Sequence, residues 1–144
     1  MKFAIVVSKF NPEITQGLLW GARVYLQEYG IDEKHIHVFD APGVFETPLI
    51  AHKLAKTGNY EGIICLGCVI KGDTAHFEFI SLGATIGLMQ ASLATATPIS
   101  FGILTTYTDE QAVTRSARDE HNKGREAAAA CFETAQTLKH IGSS

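Results

Sequence analysis

FAIVVSKFNPEITQGLLWGARVYLQEYG, residues Phe3 to Gly30, decides the fold. The run Phe3–Ser8 is apolar up to its last residue, which suits a strand covered on both faces. Asn11, Pro12 and Glu13 then form a helix-start signal: an N-cap side chain, a proline in the first turn and an acid near the positive end of the dipole. Ile14, Leu18, Ala22 and Leu26 recur on one helical face, and Gly30 stops the helix. A charge-poor strand followed by an amphipathic helix is the repeating unit of a parallel α/β sheet.

The unit recurs along the chain. Strands are expected at His35–Asp40, Gly62–Gly67 and Ile99–Thr105, each rich in Val, Ile, Leu or Phe. Helices are expected from about Glu46 to Lys56, stopping at Gly58, and from His76 to Thr97. A short one opens at the Thr108/Gln111 capping box, and a last, alanine-rich one spans Lys123 to Ile141. Short connections and no internal repeat predict one domain, residues 1–144. Its fold class is α/β: a three-layer α/β/α sandwich with a four-stranded parallel sheet in flavodoxin-like order. Ligands of such sheets bind beyond the carboxyl ends of the strands, so the segments after each strand are the candidates.

Composition excludes several classes of function. With 12 Lys+Arg against 15 Asp+Glu, the net charge is −3, and no patch invites nucleic acid or an anionic membrane. Three cysteines, an odd number in a chain able to build a core, point to reduced thiols and a cytoplasmic location. The apolar run Phe3–Val7 is too short for a signal-peptide core. Between Glu78 and Asp109 there is no Asp, Glu, Lys or Arg. Ser81, Thr85, Gln90, Ser92, Thr95 and Thr97 interrupt that stretch and Pro98 ends it, so it reads as a helix and a strand buried from both sides rather than a membrane span. A small domain covers a helix all round only with a neighbour's help, which implies a subunit interface.

The four strand-end loops carry the chemistry. After the first strand, Phe10 offers a stacking surface for a planar ligand, or else staples the following helix. After the second, Pro42-Gly43 gives a turn and close backbone approach. Glu46 is there either as a helix-start charge or as an acceptor for the ring N–H groups of a heterocycle. After the third, Gly67 to His76 places a glycine-containing loop before a helix N-terminus, an arrangement that binds anions through backbone N–H groups. A nucleotide-binding P-loop would need lysine where Asp73 stands, so Asp73 is read as a helix cap. His76 can shuttle a proton near neutral pH. After the fourth come Arg115, with a planar fork suited to phosphate, and Lys123, a point charge. The Cys65/Cys68 pair lies along a strand with no second pair for zinc, and His35/His37 has no third ligand nearby.

Taken together, FNPEIT (Phe10–Thr15), APGVFETP (Ala41–Pro48), LGCVIKGDTAHFEFI (Leu66–Ile80), PISFGILTT (Pro98–Thr106) and NKG (Asn122–Gly124) closely resemble the lumazine synthase family, in order and spacing across nearly the whole chain. The resemblance implies condensation of 5-amino-6-(D-ribitylamino)uracil with 3,4-dihydroxy-2-butanone 4-phosphate, with no metal and no redox cofactor. It places Phe10 on the pyrimidine ring. Val44, Phe45, Glu46, Cys68, Val69 and Ile70 would line the uracil edge and ribityl chain. Asp73 and Thr74 would offer main-chain N–H groups to phosphate, and His76 would move protons. Phe101 would close the ring pocket from a neighbouring subunit, where Arg115 and Lys123 would hold the phosphate. It also implies a homo-oligomer, a pentamer at least and in some relatives a 60-subunit shell, and riboflavin synthase as a candidate partner. The strand starting almost at Met1 weakens the case for a shell, and the short Arg115-to-Lys123 connection permits one.

Two departures stand out: Lys71 replaces an arginine common before the glycine, and Asp73 stands where many members have a small residue. Rival readings are an archaeal-type riboflavin synthase, disfavoured by the NKG and GDTAHFE motifs, and a non-catalytic flavin- or lumazine-binding oligomer. A flavodoxin or response regulator fits less well, because no acid ends the third strand and the phosphate loop follows the third strand instead of the first.

Overall fold

The computed structural model describes residues 1–142. Four parallel strands, β1 (Phe3–Ser8), β2 (Ile36–Ala41), β3 (Gly62–Ile70) and β4 (Ile99–Thr106), lie in the order β2-β1-β3-β4. Five helices connect and follow them: α1 (Pro12–Glu28), α2 (Thr47–Lys56), α3 (His76–Thr95), α4 (Asp109–Ser116) and α5 (Lys123–Gly142). The three-layer α/β/α sandwich with flavodoxin-like strand order is therefore present.

Strand alternation divides the core in two. Phe3, Ile5 and Val7 of β1, with Ile64, Leu66 and Cys68 of β3, face α1, α4 and α5, where Leu18, Leu26, Ala112, Ala128 and Phe132 meet them. Ala4 and Val6, with Ile63 and Cys65, face α2 and α3, where Ala51, Ala55, Ala84 and Leu88 meet them. Complete burial of Leu18 and Leu26 contributes about 1.5–3 kcal/mol each. The same alternation sends Cys65 and Cys68 to opposite sheet faces, so the C-x-x-C spacing brings no two thiols together.

Several boundaries differ from expectation for identifiable reasons. Strand β3 does not stop at Gly67 but runs to Ile70. Gly67 is there for space, since a Cβ would come within 2.7 Å of Val44 Cγ2. Asn11 does not cap α1 with its side chain: it adopts φ 55°, ψ 60°, and its amide Nδ2 donates to the Cys68 carbonyl at 3.2 Å. A single 3-10 turn, Val44–Glu46, precedes α2. Asp73 is not the cap of α3, whose N-cap is Ala75 with no side-chain cap bond. That helix ends at Thr95, two residues early, because Ala96 takes φ 52° and returns its N–H to the Ser92 carbonyl. Half of the Thr108/Gln111 box forms as expected: Thr108 Oγ1 accepts from the Gln111 N–H at 3.2 Å, but Gln111 Oε1 reaches past the N-cap to accept from the Tyr107 N–H at 2.8 Å.

Helix α3 is not buried from both sides by its own chain. Only Ala84, Leu88 and Ala91 are buried, while Phe79, Leu82, Ile86, Met89 and Leu93 lie exposed. By length and composition alone the helix is apolar enough to cross a membrane. An exposed apolar face of this size marks an interaction surface.

Candidate active site

The strand order reverses between β1 and β3, and a cleft of about 460 Å³ opens at their carboxyl ends. Phe10 arrives from the end of β1, Val44, Phe45 and Glu46 from the turn after β2, Cys68, Val69 and Ile70 from the last residues of β3, and His76 from the first turn of α3. The extension of β3 past Gly67 matters here, because it makes one wall of the cleft a regular strand.

Phe10 is not a helix staple. Its ring is 66% exposed and borders the cleft, as does Phe45. Between them Gly43 lies in extended backbone, φ −155°, so its glycine is not required by a turn. It makes for close contact instead, since a Cβ would come 3.0 Å from Glu46 Oε1 and 3.2 Å from the Phe10 ring. Cys68 is 2% exposed, and burial first, then the nearby Asp109 and Glu13 carboxylates, pushes its thiol up to about 11. It therefore lines the cleft as a neutral, weakly reactive group. The walls are apolar with a few polar groups, Glu46 and His76 among them, which suits a planar, uncharged heterocycle with polar edges.

Asp73 and Thr74 sit in the exposed loop that leads into α3, outside the residues bordering the cleft. Thr74 Oγ1 accepts from the His76 N–H at 3.4 Å, and the N-cap residue Ala75 makes no side-chain cap bond. The first-turn N–H groups that stay free of a cap are positioned to meet an anion.

Phe101, Arg115 and Lys123 are not in this cleft. They border a second one, of about 340 Å³, along the edge strand β4 between α4 and α5. Arg115 is exposed and donates to the Gln111 carbonyl at 3.1 Å; Lys123 pairs with Glu126 at 2.7 Å. Lys123 is the first residue of α5, where its charge and the helix dipole have the same sign, and Arg115 reaches the same cleft from the last turn of α4. Phe101 is 43% exposed on β4.

The alternative metal readings find no support in these contacts. His37 Nδ1 meets the Tyr60 hydroxyl at 2.8 Å and Nε2 meets the Lys34 carbonyl at 3.1 Å, so both ring nitrogens are engaged. Among the described residues, no group of three His, Cys, Asp or Glu is arranged to hold a metal ion.

The 6,7-dimethyl-8-ribityllumazine synthase family model matches residues 1–139. The chain belongs to this family. Similar proteins include 6,7-dimethyl-8-ribityllumazine synthase 1 of Caulobacter vibrioides, 63% identical over 140 residues that cover 97% of this chain and 92% of the relative. The 6,7-dimethyl-8-ribityllumazine synthase of Nitratidesulfovibrio vulgaris is 48% identical over 141 residues, covering 98% and 90%. That of Salinibacter ruber is 48% identical over 140 residues, covering 97% and 90%.

The lumazine synthase motifs divide between the two clefts. FNPEIT, APGVFETP and the third-strand motif supply the first, while PISFGILTT and NKG supply the second. Three residues bordering the first cleft escaped the sequence reading of the site: Asn11, Gly43 and Ile80. Ile80 was findable, since it stands four residues after His76 on the same helical face. Asn11 was read only as a cap, whereas Gly43 was read as a turn with close backbone approach but not named among the site residues.

Proposed function

We propose that this chain condenses 5-amino-6-(D-ribitylamino)uracil with 3,4-dihydroxy-2-butanone 4-phosphate to give 6,7-dimethyl-8-ribityllumazine, phosphate and water, as a transferase of riboflavin biosynthesis. The observation that carries this is the family match over residues 1–139. Family membership does not favour the riboflavin synthase alternative. The chemistry of the two clefts supports the assignment independently.

The pyrimidine stacks on Phe10, with its edge and ribityl chain against Val44, Phe45, Glu46 and the Cys68–Ile70 strand. The phosphate of the second substrate lies between the start of α3, at Asp73 and Thr74, and the cations Arg115 and Lys123. The 5-amino group attacks the ketone, and water leaves as the imine forms. Phosphate is then eliminated, and the ribityl-bearing nitrogen closes the ring with loss of a second water. Each stage moves protons, and His76 borders the cleft where they move. Holding two substrates in contact supplies much of the acceleration.

Because the pyrimidine cleft and the cationic cleft are separate on one chain, the working site is formed where the second cleft of a neighbour meets the first. The bare apolar face of α3 supports assembly with further copies; the reading of a cytoplasmic homo-oligomer of at least five copies rests on the resemblance to the family and on the unpaired thiols. Mixing the protein with both substrates and following lumazine absorbance and fluorescence against an enzyme-free control tests the activity. Product formed well above the control rate is expected. A folded oligomer no faster than the control would leave the ligand-binding reading in its place.

A further inference from the structure

Asn122 stands between the two proposed phosphate cations in sequence, and it bonds to the segments that carry both. Its side chain is fully buried, although the preceding residues Arg118 to His121 are exposed. Nδ2 donates to the carbonyls of Gly17 at 3.0 Å, Ser116 at 3.2 Å and Ala117 at 2.9 Å, while Oδ1 accepts from the Arg125 N–H at 3.0 Å. Ser116 directly follows Arg115 at the end of α4, and Lys123 directly follows Asn122 at the start of α5. Gly17 belongs to α1, which supports both.

The surroundings leave no slack. A Cβ on Gly21 would collide with Asn122 Oδ1, and one on Gly17 with the Ser116 carbonyl. A Cβ on Gly124 would collide with the backbone of Leu18. No other side chain of this size does the same work. Serine caps a helix as well but offers one proton for three carbonyls, and ionised aspartate would turn a second acceptor towards them. Capping alone would therefore not require asparagine.

We infer that Asn122 is a positioning residue for the anion-binding cleft: it ties the end of α4 to the start of α5 over Gly17 of α1, and so sets the spacing at which Arg115 and Lys123 face one phosphate. This rests on the phosphate role proposed for those two cations. Asn122 itself lies beneath the cleft and touches no substrate.

The test compares the Asn122→Ser oligomer, which keeps a capping oxygen, with Phe132→Leu, a core change packed against Phe3 and Tyr25. Both are assayed for Tm, kcat, both KM values and the inhibition constant of inorganic phosphate. Asn122→Ser is expected to raise the butanone-phosphate KM and the phosphate inhibition constant about tenfold, with the pyrimidine KM moving less than about twofold. Phe132→Leu lowers Tm and changes neither binding ratio. Equal rises in the two KM values, or an unchanged phosphate constant, would overturn the positioning role. If Asn122→Ser does not assemble, Asn122→Thr keeps a capping oxygen, fills more of the space and adds no charge near the cations, and it is read by the same criteria. An Arg115→Ala oligomer with unaltered phosphate inhibition would instead remove the phosphate reading of the cleft, whatever Asn122 does.

Discussion

The two clefts of this chain are built from opposite materials. The one at the β1–β3 reversal is walled by Phe10, Val44, Phe45, Val69 and Ile70, with its one thiol held neutral by burial. The one beside β4 presents Arg115 from the last turn of α4 and Lys123 at the start of α5. A planar uncharged ring gains from the first, and a dianionic phosphate gains from the second. A single cleft lined by both would have to desolvate charge against aromatic walls. On the proposed reading, splitting the site keeps the cations solvated until the two surfaces meet.

If that division of labour is right, the largest single effect belongs to the cationic side. Arg115→Ala removes charge-assisted hydrogen bonds worth about 1.5–3 kcal/mol, so the butanone-phosphate KM should rise about ten- to a hundredfold while the pyrimidine KM stays put. Steady-state kinetics with each substrate varied in turn reads the split, and equal rises would erase the distinction between the clefts. His76→Ala should act on kcat instead, lowering it about tenfold with little change in either KM, because positioning carries much of the rate. Phe10→Ala comes next: loss of stacking worth about 0.5–1.5 kcal/mol should raise the pyrimidine KM by about two- to tenfold and leave phosphate inhibition unchanged.

The smallest effect is on stability. Burial pushes the Cys68 thiol up to about 11 and the Cys131 thiol up to about 12, from a usual value of 9.0. Groups whose folded value is raised stabilise the fold fully below the unfolded value and lose that contribution as pH climbs through the folded one. Urea midpoints should therefore hold up to about pH 9 and decline towards pH 11–12, less so in Cys131→Ala. Native thiols should stay unreactive to a disulfide reagent at pH 8, and rapid labelling there would contradict the neutral wall.

Much of this architecture was legible in the sequence, and the failures share a cause. The continuous apolar run Phe3–Val7 and the 3.6-residue face of Ile14, Leu18, Ala22 and Leu26 are local patterns, and they pointed to the sheet and its helices directly. Gly67 misled because glycine in a strand run looks like its end, whereas here it makes room for Val44 from another loop. Asn11 misled because its side chain prefers a distant carbonyl, that of Cys68, to the helix start beside it. Asn122 was visible as part of a motif, but its work depends on Gly17, 105 positions away. The site residues were named by resemblance, which also implied that Phe101, Arg115 and Lys123 act from a neighbouring subunit; on one chain they border a cleft apart from the other residues. Lys71, read from the sequence as a departure from the resembled pattern, lies over the Tyr107 ring at 5.5 Å.

The claim that one chain carries two complementary half-sites is tested most directly by mixing broken halves. A Phe10→Ala/His76→Ala chain is defective only in the first cleft, and an Arg115→Ala chain only in the second. Refolded together at equal amounts and assayed at low butanone phosphate, they should regain about a quarter of the native sites, since random assembly pairs the two intact halves that often. If the mixture never exceeds the sum of its two separate activities, both halves act within one chain and the account is wrong.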